Sequence, residues 1–95
     1  ENLLLSSNLD LRSYKSNYLL SEIYNIQGDF VLGKEYAKKA LLIKKSCAPA
    51  YFHLGISEKN LGNRPAAKDA FEKAKSNKDW RASAAYELEL LEKGK

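Results

Sequence analysis

The side chains that could do chemistry in this 95-residue chain include one histidine and one cysteine. His53 could serve as the base of a Ser-His-Asp site, but the pattern around it places it at an ordinary surface position on a helix. Cys47 has no companion cysteine, and the nearby Lys44 and Lys45 are weak grounds for a lowered thiol pKa. We therefore expect a solvated histidine and an inert thiol in a turn.

Three further patterns, which could support catalysis, metal binding or phosphate binding, also fail. Glu87 and Glu89 are two residues apart, so on a helix their side chains point about 200° apart and cannot work as a pair. One histidine and one cysteine cannot supply the ligands of a usual zinc site. The glycines are spaced for packing and capping, not for holding phosphate. The sequence predicts a protein that is not an enzyme, with no cofactor and no metal.

The composition is that of an ordinary folded domain, since 44% of the residues are hydrophobic and 29% are charged. The net charge of +4 is divided between the two halves and forms no basic tail, so we do not expect nucleic-acid binding. No apolar run reaches the roughly 18 residues of a membrane helix, so we expect no membrane insertion. The chain reads as a piece of a longer protein. A free cysteine suits the cytosol, although a single thiol also persists in secreted proteins.

An internal repeat organises the elements that carry these residues. Gly28-Asp29 and Gly62-Asn63 are 34 residues apart, and the same shift pairs aromatic, small and lysine positions. Within each unit the apolar residues follow a 3.6-residue helical period. The glycines fit a left-handed residue that ends a helix, and Asp29 and Asn63 fit N-caps of the next helix. These signals predict helices near 11–27, 30–45, 48–61, 64–76 and 79–93, with a helical stub near 2–8, and their short connections predict antiparallel neighbours.

The second unit resembles a tetratricopeptide repeat. Residues 48–55 read APAYFHLG, with an aromatic residue at the fourth position and glycine at the eighth, and Leu61-Gly62 ends the first helix. Glu58 departs from the pattern because the family prefers tyrosine there. The second helix carries the small, aromatic, small series in register at Ala67, Phe71 and Ala74.

Two flanking stretches resemble weaker copies of the same repeat. Residues 14–47 depart at Asn17 and Ser21, where the family has an aromatic residue and a glycine, and residues 82–95 carry Glu89 at a small position. The resemblance implies an all-α fold, in which antiparallel helix-turn-helix repeats stack into a right-handed superhelix. It divides one domain, residues 1–95, into the end of a preceding helix at 1–10 (with Leu3, Leu4, Leu5 and Leu9), repeats at 14–47 and 48–81, and a capping helix at 82–95.

The resemblance also implies a concave groove lined by the first helix of each repeat. The 34-residue shift aligns Tyr18, Phe52 and Tyr86 as an aromatic row, which could bind a partner or pack helix against helix. Polar groups in the groove could bond to a peptide backbone. The predicted partner-binding residues are Tyr18, Glu22, Asn25, Phe52, His53, Ile56, Lys59, Asn60 and Tyr86, and the remaining groove positions are Lys15, Leu19, Ile26, Pro49, Ser83, Glu87, Leu90 and Lys93.

These features predict a non-enzymatic interaction module or scaffold that binds a peptide or a partner helix in the groove. Relatives that hold acidic tails do so with lysine and asparagine where this chain has Tyr18 and Glu22, so a terminal carboxylate is a disfavoured ligand. An alternative is self-assembly, in which open repeat ends, helped by Leu3 to Leu5, stack on neighbouring repeats or on another copy. The lysine-rich second helices are expected to be a solvated face, with docking to an acidic partner as the alternative.

Overall fold

The computed structural model describes residues 13–93, which form five α-helices. The all-α class and the five predicted helices are confirmed, with ends that differ by a few residues. The predicted stub at 2–8 and the leucines of residues 1–10 lie outside the described residues, and the handedness of the superhelix stays a prediction. The helices are α1 (Tyr14–Gln27), α2 (Phe30–Ile43), α3 (Ala48–Asn60), α4 (Arg64–Ala74) and α5 (Lys78–Lys93).

The two turns that close the hairpins share one backbone geometry. Gly28 has a φ of 88°, its N–H donates to the carbonyl oxygen of Asn25, and the N–H of Asp29 donates to that of Tyr24. Gly62 has a φ of 89°, and the corresponding hydrogen bonds form around it. Glycine occupies this left-handed region at little cost because it has no Cβ. The glycine spacing therefore ends α1 and α3 at equivalent places and sends the chain back antiparallel.

The predicted caps of the two second helices have different outcomes. The side chain of Asp29 accepts a hydrogen bond from a backbone N–H in the first turn of α2, which confirms its capping role. Asn63 makes no such bond, so the prediction for it is wrong. Its amide instead donates to Glu58 Oε1 at 2.8 Å. Pro65 lies in the first turn of α4, where its missing N–H leaves no helical bond unmade.

Small residues let the helices of each hairpin approach closely. A Cβ built on Gly55 would lie 2.6 Å from a ring carbon of Phe71, which is fully buried beside Ala67 and Ala74. Only a residue without a side chain lets α3 lie this close to that ring. The small and aromatic residues that recur in the repeat pattern therefore form the contact between α3 and α4.

The two hairpins stack chiefly where α2 packs against α3, and the first helices of the hairpins also contact each other. Helix α1 packs on α2 and α3 packs on α4, while α3 also contacts α1 and α5. Helix α5 packs against α3 and α4 as the first helix of a third unit. In the part of the chain that is described, no helix is both long and apolar enough to cross a membrane. This order places α1, α3 and α5 side by side, as a groove along the first helices requires.

Candidate partner-binding groove

Aromatic rings fill the space between the first helices at their amino-terminal halves. The rings of Tyr18 on α1 and His53 on α3 are stacked, with centroids 6.3 Å apart. Trp80 on α5 meets the edge of His53 at 5.8 Å and lies 5.1 Å from Phe52. Offset and edge-to-face pairs at these distances are favourable contacts between aromatic rings. This cluster of four rings, hereafter the ring cluster, joins all three first helices.

His53 lies inside the ring cluster with 6% of its surface exposed, so the predicted surface position is wrong. Rings from the helices on both sides cover it, and sequence position alone does not reveal them. Burial penalises the charged imidazolium and lowers the pKa of His53 to about 4. The imidazole is therefore neutral at pH 7 and acts as part of the packing between repeats.

The aromatic row divides into two packed members and one exposed member. Tyr18 lies beside Ala50 and Cys47 in a partly buried cluster, and Phe52 packs edge-on against Phe71 at 5.5 Å. Tyr86, the third member, is 60% exposed. The first two rings therefore pack between helices and stay half-buried, and the third is mostly exposed.

Sequence reasoning missed Trp80, which covers both Phe52 and His53. Trp80 precedes the third copy in the 34-residue frame, so the repeat pattern gives it no role. The structure begins α5 at Lys78, and Trp80 lies in its first turn, close to α3. The signal that could have found it is that the chain has a single tryptophan, which lies at the start of an amphipathic helix.

Asn25 bridges the two repeats instead of facing an open groove. Its Nδ2 donates to the carbonyl oxygen of His53 at 3.1 Å, and its Oδ1 accepts a bond from Ser57 Oγ at 2.7 Å. Lys59 bridges the second repeat to α5 in the same way, because its Nζ lies 2.7 Å from Glu87 Oε1. Each bridge joins residues 28 apart. These two polar positions stabilise the stack as well as lining the predicted groove.

The open part of the groove lies toward its two ends. Ile26 on α1 is 78% exposed, and Leu19 on the same helix and Leu90 on α5 are also exposed. Ile56 on the middle helix is half-buried against the core. Of the polar members, Glu22 is exposed, and exposed Asn60 donates to the carbonyl oxygen of Ile56 in its own helix. The other predicted positions are exposed at Lys15, Ser83 and Lys93 and half-buried at Pro49.

Cys47 lies just before α3 and is buried. Burial is the main cause that raises the pKa of its thiol, so the thiol is protonated at pH 7. A protonated, buried thiol is a poor nucleophile and a poor metal ligand, as expected for a structural cysteine. Within residues 13–93, no three His, Cys, Asp or Glu side chains are grouped so that they could hold a metal ion.

Comparison with known proteins identifies the family. A family model of the tetratricopeptide repeat matches residues 14–47 and 48–78, about two thirds of the chain. No curated protein and no solved structure matches the chain. The chain therefore belongs to the tetratricopeptide repeat family, whose repeats generally mediate protein–protein interactions and are typically non-enzymatic.

Proposed function

We propose that this chain binds a peptide or a helix of a protein partner along the groove formed by α1, α3 and α5. The observation that carries the proposal is the exposure of apolar side chains at groove positions, above all Ile26 and Tyr86. Exposed apolar side chains grouped on one face of a folded domain are typical of interaction sites. The ring cluster and the two bridges support this proposal because they hold the three helices in a fixed relation.

The chemistry of the groove favours an internal, mainly apolar segment of a partner. The Lys59 ammonium is already paired with Glu87, so it is not an open cation for a terminal carboxylate. Glu22 is exposed and would repel such a group. The exposed side chains of Ile26, Tyr86 and Asn60 can instead cover an apolar side chain and bond to a peptide backbone.

Two exposed groove residues provide the test. Ile26→Ala and Tyr86→Ala are each expected to weaken partner binding by more than about 1 kcal/mol while the fold is retained, because both side chains are mostly solvent-exposed. Phe52→Ala is a poorer choice, since Phe52 also packs against Phe71 and Trp80. The partner is first captured with the unchanged chain as bait, and its affinity for each variant is then measured by calorimetry.

Leu42 supplies the matched control for this test. It is apolar and 82% exposed, like Ile26, but it lies on the second helix of its hairpin. Leu42→Ala is expected to bind the captured partner as tightly as the unchanged chain does. Equal binding by all three variants would reject the groove as the binding surface.

Self-assembly is the second candidate, and one observation favours it. The exposed apolar groove residues lie on the two outer helices of the groove, with Leu19 and Ile26 on α1 and Tyr86 and Leu90 on α5. Two such faces could meet head to tail between copies. Light scattering after size exclusion separates the candidates, since a mass that rises with concentration supports assembly and a constant monomer mass opposes it.

A further inference from the structure

The carboxyl-terminal end of α2 presents lysines around two exposed aliphatic side chains. Leu42 is 82% exposed and Ile43 is 48% exposed, so neither belongs to the core. Four exposed lysines come from the preceding turn of the helix and from the two residues that follow it. This surface, hereafter the α2 patch, consists of Lys38, Lys39, Leu42, Ile43, Lys44 and Lys45.

The positive charge of the α2 patch is not neutralised by nearby carboxylates. The sequence has no aspartate or glutamate at positions 36–57. Within the described part of the chain, none of the four lysines lies at ion-pair distance from a carboxylate. Lys44 Nζ lies 4.7 Å from the centre of the Tyr14 ring, and Lys39 Nζ lies 4.7 Å from the centre of the Tyr36 ring. Because an aromatic ring orients a cation without cancelling its charge, the patch attracts anions.

Neighbouring helices of the stack do not cover the position of the aliphatic pair. The 34-residue shift takes Leu42 and Ile43 to Ser76 and Asn77, just after α4. A complete hairpin precedes that of α4 and α5 follows it, yet Ser76 and Asn77 are both exposed. Two polar residues at the equivalent position also show that the repeat needs no apolar side chain there. The aliphatic pair is therefore a property of the first hairpin and is not explained by packing between repeats.

An anionic membrane surface matches both properties of the α2 patch. Anionic lipid headgroups attract lysines close to the bilayer, and aliphatic side chains enter the boundary between headgroups and acyl chains. Leu42 lies on the side of α2 opposite to the buried Ala37 and Ala40, so it can meet a flat surface. Single-stranded nucleic acid is a weaker match, because its bases stack on exposed aromatic rings and the Tyr36 ring beside the patch is only 9% exposed.

We propose that the α2 patch docks this protein on the surface of an anionic lipid bilayer. Leu42 and Ile43 enter the boundary between headgroups and acyl chains, and the four lysines lie at the level of the lipid phosphates and carboxylates. The long methylene stems of the lysines cover apolar surface while the ammonium groups reach the headgroups. Such peripheral contact needs no helix that crosses the membrane. None of the patch residues is a predicted groove residue, so the proposal is independent of the groove.

Sedimentation of the 95-residue chain with lipid vesicles tests the proposal. One set of vesicles contains phosphatidylcholine alone, and the other contains an equimolar mixture of phosphatidylcholine and phosphatidylserine. We expect the chain to pellet with the mixed vesicles and to stay in solution with phosphatidylcholine. Leu42→Gln is expected to lower the partition coefficient about tenfold, because an apolar contact with the bilayer is lost. Lys44→Gln combined with Lys45→Gln is expected to lower it about 25-fold, at about fivefold for each lysine.

Matched variants outside the α2 patch serve as controls. Ile26→Gln removes an aliphatic side chain of α1 that is 78% exposed, and it also separates this test from that of the groove. Lys68→Gln combined with Lys93→Gln removes the same charge as the double lysine change in the patch. Both controls are expected to keep the partition coefficient within about twofold, because charges distant from the bilayer are screened by salt.

Three outcomes overturn the proposal. The first is that the chain does not pellet with the mixed vesicles, or that control and patch variants lose binding equally. The second is unchanged pelleting of Leu42→Gln, since attraction of lysines to a polyanion needs no aliphatic side chain. The third is retention of the chain by polyuridylate or polyglutamate without vesicle binding, which assigns the patch to nucleic acid or to an acidic protein.

Discussion

Replacement of Asn25 by alanine tests whether the repeats are held together by the bridge that the structure describes. The substitution removes the bond to the His53 carbonyl oxygen and the bond from Ser57 Oγ, at 3.1 and 2.7 Å. A hydrogen bond of this kind contributes about 1 kcal/mol net to stability. Two lost bonds therefore predict a decrease of about 2 kcal/mol in the free energy of unfolding, a large part of the stability of a small domain.

Asn60→Ala is the matched control for that substitution. Asn60 is exposed near the end of α3, and its amide bonds only to the carbonyl oxygen of Ile56 in its own helix. Both variants replace asparagine by alanine within a helix, so the intrinsic change in helix propensity is the same type in each. The difference between their free energies of unfolding therefore reports on the bridge. Unfolding in urea, followed by circular dichroism, gives each free energy from the midpoint and slope.

A double-mutant cycle makes the test sharper. Ser57→Ala alone also removes the bond to Asn25, so the double variant should lose about 1 kcal/mol less than the sum of the two single changes. If Asn25→Ala and Asn60→Ala are equal within about 0.5 kcal/mol, the bridge does not stabilise the stack and the reasoning is refuted.

Two further perturbations test the packing around the groove. The pKa of His53 is 6.5 in the unfolded chain and about 4 in the folded chain, so the unfolded chain takes up a proton first as the pH falls. The free energy of unfolding is therefore highest above pH 6.5 and decreases by about 3 kcal/mol by pH 4. His53→Phe should remove that part of the pH dependence in urea unfolding, and an unchanged slope would contradict the buried neutral imidazole. Gly55→Ala places a Cβ against the buried ring of Phe71 and should lower the free energy of unfolding by about 1 to 2 kcal/mol. The loss should vanish in a Phe71→Leu background, and stabilisation by Gly55→Ala alone would show that the helices are not in close contact.

The helices and turns are predictable from sequence because the forces that form them are local. A 3.6-residue period and a left-handed glycine act within one helix and its turn, so Gly28 and Gly62 mark the ends of α1 and α3 correctly. The predicted capping role of Asn63 is wrong because its side-chain amide bonds to Glu58, a contact that the local sequence pattern does not show.

The candidate site is less predictable because it depends on neighbouring helices. Asn25 and Asn60 are both groove positions of the same residue type, yet only Asn25 reaches the next repeat. His53 is buried because Tyr18 and Trp80 come from helices on either side of it. The repeat pattern in the sequence predicts which face of a helix a residue occupies. It does not predict which side chains of the adjacent repeats pack against that residue.

Site-specific photo-crosslinking from this protein in cells tests the proposed groove most directly. A photoreactive amino acid replaces Ile26 in one variant and Leu42 in another, two apolar positions with nearly equal exposure on different helices of one hairpin. We predict covalent capture of a partner protein from position 26 and none of that protein from position 42. Capture of the same partner at equal yield from both positions, or from position 42 alone, would contradict binding along the first helices.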